Sequence, residues 1–285
     1  TPTDSSAASD VYKRQIVYSL ASGGASIAAL FLAGYIPGIL TGLFLMAVAM
    51  IWAKKKNFKT GKRAPLKTVF GSFVSAFPSL MLLFVVIGGI VSGVFTATEA
   101  SAIAVIYTLV LGFVYKEITF KTLPTILLKS STTTAIVMFL IGASMSMSWV
   151  LSYENIPEMI SSGILSLSDN KIVILLLINF TLLFVGIFMD MTPAVLIFTP
   201  IFLPIVTQLG IDPVHFGIIM ILNLCIGLCT PPVGSVLFVG VGVANTSIQK
   251  VIKPLIPLFL AMIVALLLVT YIPALSLWLP SIFDL

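Results

Sequence analysis

One acid, Asp190, stands inside an almost unbroken apolar stretch from Ile172 to Leu209, and a second apolar stretch, Phe216 to Ala244, is interrupted by Thr230-Pro231-Pro232. A buried ionised carboxylate is costly unless paired or hydrated, so Asp190 could coordinate a cation, cap a helix or carry a proton. Asp before Thr-Pro also suits an N-cap followed by a first-turn proline. Two successive prolines cannot continue a helical hydrogen-bond ladder, which predicts a discontinuous helix at Thr230 to Gly234. Unwound backbone at membrane depth is tolerated where it is buried in protein or lines a cavity. The turn at Met189, Asp190, Met191, Thr192 and Pro193 and the break at Cys229 to Gly234 would present freed carbonyls together with the Thr192 and Thr230 hydroxyls. These are hard oxygen ligands suited to Na⁺, and half-helix N-termini favour an anionic solute. The expected Na⁺ ligands are Asp190, Thr192, Thr230 and Gly234. Pro200 and Pro204 can be read as kinks in packed helices.

The remaining chemistry-bearing residues have plainer readings. Glu99, in FTATEA, reads as a helix start with Thr96 or Thr98 as cap. His215, the only histidine, follows Pro213 and reads as interfacial. The Ser130 to Thr134 run and the small residues from Gly142 to Ser148 favour close helix packing, and their hydroxyls could also bind solute. Cys225 and Cys229 are four residues apart in an apolar helix, which excludes a disulfide framework. There is no HExxH pair, and an intramembrane aspartyl protease would need two carboxylates at depth. No enzymatic centre and no cofactor are expected, with Na⁺ as coupling ion only.

The elements that must carry these residues are membrane helices. The 285 residues are 59% hydrophobic and 9% charged with a mean hydropathy of +1.18, far from the roughly 25% charge of a soluble domain. Several apolar runs exceed the roughly 18 residues needed to cross hydrocarbon. The net charge of +5 gathers in one segment, Lys54, Lys55, Lys56, Lys59, Lys62, Arg63 and Lys67, with no acid among them. That pattern predicts a cytoplasmic loop, with no nucleic-acid partner.

The reading is therefore an all-α integral membrane protein. Residues 1–15 read as a disordered or non-native tail. Residues 16–53 read as a short helix, a bend near Tyr35 to Gly38 and a span, followed by the basic cytoplasmic loop 54–67. Residues 68–129 hold spans and a helix lying along the membrane surface at Lys116 to Lys129. Residues 130–246 hold a re-entrant helical hairpin, 171–208, turning at about mid-depth, and the broken helix, 214–246. A final span, 247–285, ends on the periplasmic side. Ser26-Ile27 before Pro37 and Ser247-Ile248 before Pro257 form a weak internal repeat, as two inverted halves would.

GGIVSGVFTATEA at Gly88 to Ala100, GIFMDMTPAVLIFTPIFLPI at Gly186 to Ile205, GIDPVHFGIIMILNLCIGLCTPPVG at Gly210 to Gly234 and YIPALSLWLP at Tyr271 to Pro280 resemble the large membrane subunit (DctM-like) of the tripartite ATP-independent periplasmic (TRAP) transporters. These belong to the ion-transporter superfamily of elevator proteins. The resemblance implies Na⁺-coupled uptake of organic acids (C4-dicarboxylates, sialic acid or similar carboxylates) across the bacterial inner membrane. A periplasmic solute-binding protein would deliver them, and a small membrane subunit would complete the scaffold. It places the hairpin tip at Gly186 and Met189 to Pro193, and the broken helix at Thr230, Pro231, Pro232, Val233 and Gly234. Residues 16–53 would then end an N-terminal repeat, 68–129 would form scaffold spans with an arm helix, and 130–246 would be the mobile transport domain. Family members carry a hairpin and a broken helix before the IVYSLASGG region, where this chain has its polar tail. The chain thus reads as the C-terminal two-thirds of such a subunit, an elevator-type transporter fragment. Alternatives are a non-transporting membrane scaffold fragment and an anion symporter that needs no binding protein.

Overall fold

The computed structural model describes residues 15–56, 65–156, 159–160, 162–163, 170–231, 236–237, 241 and 247–283, and every regular element among them is a helix. In chain order these include α1 (residues 15–21), α2 (Ile27–Lys55), α3 (Leu66–Val91), α4 (Ala97–Val114), α5 (Leu123–Tyr153), α6 (Lys171–Phe188), α7 (Met191–Gln208), α8 (Pro213–Leu228), α9 (Ile248–Tyr271) and α10 (Ala274–Ile282). Six described helices are long and apolar enough to cross a membrane, while α4 and α8 are shorter apolar helices. Large apolar side chains such as Phe84, Phe139 and Trp149 are well exposed, as a bilayer-facing surface requires and a water-facing one avoids. The fold is that of an all-α integral membrane protein.

The chain divides into two compact units, one formed by Thr1–Lys56 with Leu140–Leu285 and one by Asn57–Phe139. In the smaller unit α3 and α4 form a helical hairpin. Its turn is fixed by Gly93 in the left-handed region (φ 73°) and by Phe95, whose N–H reaches Gly89 O at 3.1 Å. Tyr107 closes the pair by donating to Pro78 O at 2.8 Å. Thr96 and Glu99 make a reciprocal capping box that starts α4, so Glu99 takes the helix-start role with Thr96 as the cap.

In the larger unit the core lies where α6, α7 and α8 meet α1 and α2, built on fully buried residues such as Tyr18, Leu30, Ile178, Met191, Phe216 and Leu224. Local chemistry sets the helix starts. Asn170 caps α6 by accepting from Ile172 N at 2.9 Å. Asp212 caps α8 through Val214 N at 2.8 Å, with Pro213 in the first turn. Between α7 and α8, Gly210 sits at φ 70° while Ile211 N returns to Val206 O at 2.9 Å. This is the glycine-terminated helix end that only a residue without Cβ adopts cheaply.

Two expectations change. The bend placed at Tyr35 to Gly38 falls instead at Gly23 and Gly24, both at positive φ, and α2 runs continuously with Pro37 inside it. Two successive glycines free to adopt left-handed backbone reverse the chain more readily than one proline breaks a packed helix. The surface helix placed at Lys116 to Lys129 is divided. Lys116 lies at φ 60°, Thr119 and Thr122 cap each other's backbone N–H groups, and from Leu123 onward the segment is part of α5.

Candidate ion and solute site

The site elements are α6, α7 and α8. Met189 and Asp190 alone separate α6 from α7, so the pair forms a tight helical hairpin. Met189 is the C-cap of α6, its N–H bonded to Val185 O at 2.9 Å. Asp190 is the N-cap of α7, its carboxylate accepting from Met191 N at 2.8 Å. One carboxylate oxygen is thereby engaged in capping. Met191 is fully buried and anchors the tip, whereas Met189, Thr192 and Pro193 are half-buried and Asp190 is exposed.

Helix α8 ends at Leu228, with Cys229 as its C-cap. Thr230 N bonds Gly227 O at 2.9 Å, tightening the last turn. The Thr230 hydroxyl donates to Ile226 O at 2.7 Å. A hydroxyl whose proton is committed to the helix keeps its oxygen lone pairs for other ligands. Thr230 and Pro231 are half-buried; Pro232, Val233 and Gly234 lie outside the described residues.

The last turns of α6 and α8 meet. A Cβ placed on Gly227 would sit 2.7 Å from both Cα and C of Gly186, and one placed on Gly186 would sit 3.1 Å from Gly227 Cα. Only two glycines let the backbones cross this closely. Further along the same helices, Asn223 Nδ2 donates to Asn179 Oδ1 at 2.7 Å and to Asn179 O at 2.9 Å. Asn179 Nδ2 in turn reaches Thr270 Oγ1 on α9 at 3.1 Å. Paired at Asn179–Asn223 and again at Gly186–Gly227, α6 and α8 run in the same direction. Their carbonyl-bearing C-terminal ends therefore lie side by side, and neither last turn carries a basic residue. Adjacent helix C-termini add partial negative charge at one point, which favours a cation there.

The sequence marks Gly186, Met189 to Pro193 and Thr230 to Gly234 as site residues; Gly227 and the Asn179–Asn223–Thr270 chain come from the structure. The available signal was a single amide in each of two apolar helices, LLLINFTLL and MILNLCI. Such residues in apolar spans bond to a neighbouring helix. His215, in the first turn of α8, is buried within the protein. Among the described residues no group of three or more His, Cys, Asp or Glu could hold a metal ion.

The model of the tripartite ATP-independent periplasmic transporter DctM component matches residues 14–275, and the chain belongs to that family. It is a multi-pass membrane protein. YgiK of Salmonella typhimurium is 59% identical over 268 residues, covering 94% of this chain and 62% of that protein. The C4-dicarboxylate TRAP transporter large permease protein DctM of Pseudomonas aeruginosa is 41% identical, covering 93% and 62%. The sialic acid TRAP transporter large permease protein SiaM of Vibrio cholerae is 39% identical, covering 94% and 63%. The chain thus spans about three fifths of the length of these curated relatives. The last two are named as transporter permeases, not as enzymes.

Proposed function

We propose that this chain forms the ion-binding part of the large permease subunit of a Na⁺-coupled TRAP transporter. That transporter takes up organic acids across the bacterial inner membrane with a small membrane subunit and a periplasmic solute-binding protein. The observation that carries the reading is the Gly186–Gly227 crossing, which sets the carbonyl ends of α6 and α8 beside the hairpin tip with no cationic side chain in either last turn. Na⁺ at this place would be held by freed carbonyls near the tip and by Thr230, with Thr192, Asp190 and Gly234 as the other oxygen donors. The N-terminal end of α7, which starts at the same tip, favours the carboxylate of a solute.

The substrate class follows the relatives, whose names specify C4-dicarboxylates and sialic acid, both carboxylates. The basic end of α2, Lys54 to Lys56, would face the cytoplasm. In this reading the hairpin tip is re-entrant.

The test is uptake into proteoliposomes by the full-length permease containing this chain, with the small subunit and binding protein. An imposed Na⁺ gradient should drive accumulation of a carboxylated solute, and a K⁺ gradient of equal size should not. Uptake indifferent to Na⁺ would overturn the coupling. Uptake undiminished without the binding protein would overturn the tripartite assignment.

A further inference from the structure

Helices α2 and α9 pack against each other along a seam within the larger unit. Near the C-terminal end of α2 the seam opens into a groove of about 720 Å³ lined by Val48, Ile51, Trp52, Lys55, Lys56 and Pro257. Alongside it lies a second groove of about 430 Å³, whose walls include Leu45, Val251, Leu255, Leu258, Phe259 and Met262. Leu45 and Val48 are three residues apart and so share a face of α2, which sets both grooves along that face; Val236 and Leu237 also wall the second. One carries two lysines and a half-buried tryptophan, the other is lined by apolar residues, and neither is lined by an acid. Lys55 and Lys56 are exposed, and Lys253 lies one helical turn before Pro257 on α9.

We propose that the α2–α9 seam binds an anionic phospholipid, its phosphate held by Lys55 and Lys56 and one acyl chain laid along the apolar groove. Charge and apolarity select this occupant together. A phosphate free in solution would use the lysines and leave the Leu255–Phe259 wall exposed, whereas a zwitterionic lipid would fill the wall and leave two cations without a counter-charge. Basic grooves between membrane helices suit lipids with net negative headgroups, and Trp52 stands where indole rings favour the headgroup level. Lys55 in the last turn of α2 and Lys56 at its C-cap also complement the carbonyl end of the helix.

Native mass spectrometry of the purified full chain with phosphatidylglycerol or phosphatidylcholine in mixed micelles tests the site. Phosphatidylglycerol should be retained over phosphatidylcholine, and inorganic phosphate at millimolar concentration should not displace it. Lys55→Gln with Lys56→Gln should weaken retention roughly 30-fold, since each juxtamembrane lysine contributes roughly fivefold. Lys55→Arg with Lys56→Arg should keep it. Leu255→Trp, which fills the apolar wall without touching charge, should weaken it as well, and Lys116→Gln with Lys121→Gln should change nothing. Equal retention of the two lipids, undiminished retention in the Lys55→Gln/Lys56→Gln variant, or displacement by inorganic phosphate would overturn the proposal.

Discussion

Gly186 of α6 and Gly227 of α8 touch backbone to backbone, three residues before the hairpin tip and two before the C-cap Cys229. The contact is asymmetric, because a Cβ on Gly227 would press on Gly186 Cα and C at 2.7 Å while one on Gly186 would meet Gly227 Cα at 3.1 Å. Backbone atoms cannot swing aside as a flexible side chain can. Gly227→Ala should therefore destabilise the larger unit by about 2–3 kcal/mol, the upper range of overpacking costs, and Gly186→Ala by less. Thermal unfolding of the two variants followed by tryptophan fluorescence checks the order, and equal midpoints would contradict it.

Asn179 is the hub of a buried polar chain, bonded to Asn223 on one side and to Thr270 on the other. Asn179→Leu strands partners on two helices, whereas Thr270→Val removes one interhelical bond and the hydroxyl's own bond to Leu266 O within α9. Interhelical hydrogen bonds within membranes contribute about 0.6 kcal/mol on average and up to about 1.7. Asn179→Leu should thus cost roughly twice what Thr270→Val costs. A double-mutant cycle between positions 179 and 223 should give a coupling of about 1 kcal/mol, and a coupling near zero would remove the network from the account.

Asp190 caps α7 through Met191 N, which Asn can do and Ala cannot. Asp190→Ala should lower stability by about 1 kcal/mol, while Asp190→Asn should keep the cap and lose the charge. If the carboxylate also serves Na⁺, Asp190→Asn will shift the Na⁺ dependence of uptake at nearly unchanged stability. An unaltered Na⁺ response in Asp190→Asn would confine the residue to capping.

The capping box of α4 has a pH signature. Hydrogen bonds from the Thr96 backbone and side chain hold the Glu99 carboxyl below its usual 4.5. A depressed carboxylate contributes stability that is present above the unfolded value and lost as pH falls through the folded one. Amide exchange in the first turn of α4, corrected for intrinsic rates, should be slow at neutral pH and speed up only below that value. Glu99→Gln, lacking the charge, should flatten the dependence, and a transition near neutral pH would contradict the assignment.

Much of this architecture is legible in the residues, since apolar length marks the spans and turn chemistry marks their ends. Helices α6 and α7 run from Lys171 to Gln208, where the length of the apolar stretch and the position of Asp190 before Thr-Pro mark two helices and a turn. Thr230 and its prolines marked the end of α8 for the same local reason. The crossing of Gly186 with Gly227 was not legible: a glycine in an apolar run marks freedom of approach but names no partner. Asn179 and Asn223 are 44 residues apart, and only the parallel packing of α6 on α8 brings them together. The path of α2 through Pro37 also escaped a local reading, because helix packing around Leu30 and Ala33 outweighs the preference of one proline.

In the proposed function, the tip of the α6–α7 hairpin and the end of α8 together bind Na⁺. Hydrogen exchange of the full-length permease in Na⁺ and in K⁺ at equal ionic strength tests it at the residues concerned. Segments containing Met189 to Thr192 and Cys229 to Thr230 should exchange more slowly in Na⁺, and Thr230→Val should abolish the difference. Identical exchange in both salts at these two segments would contradict the account.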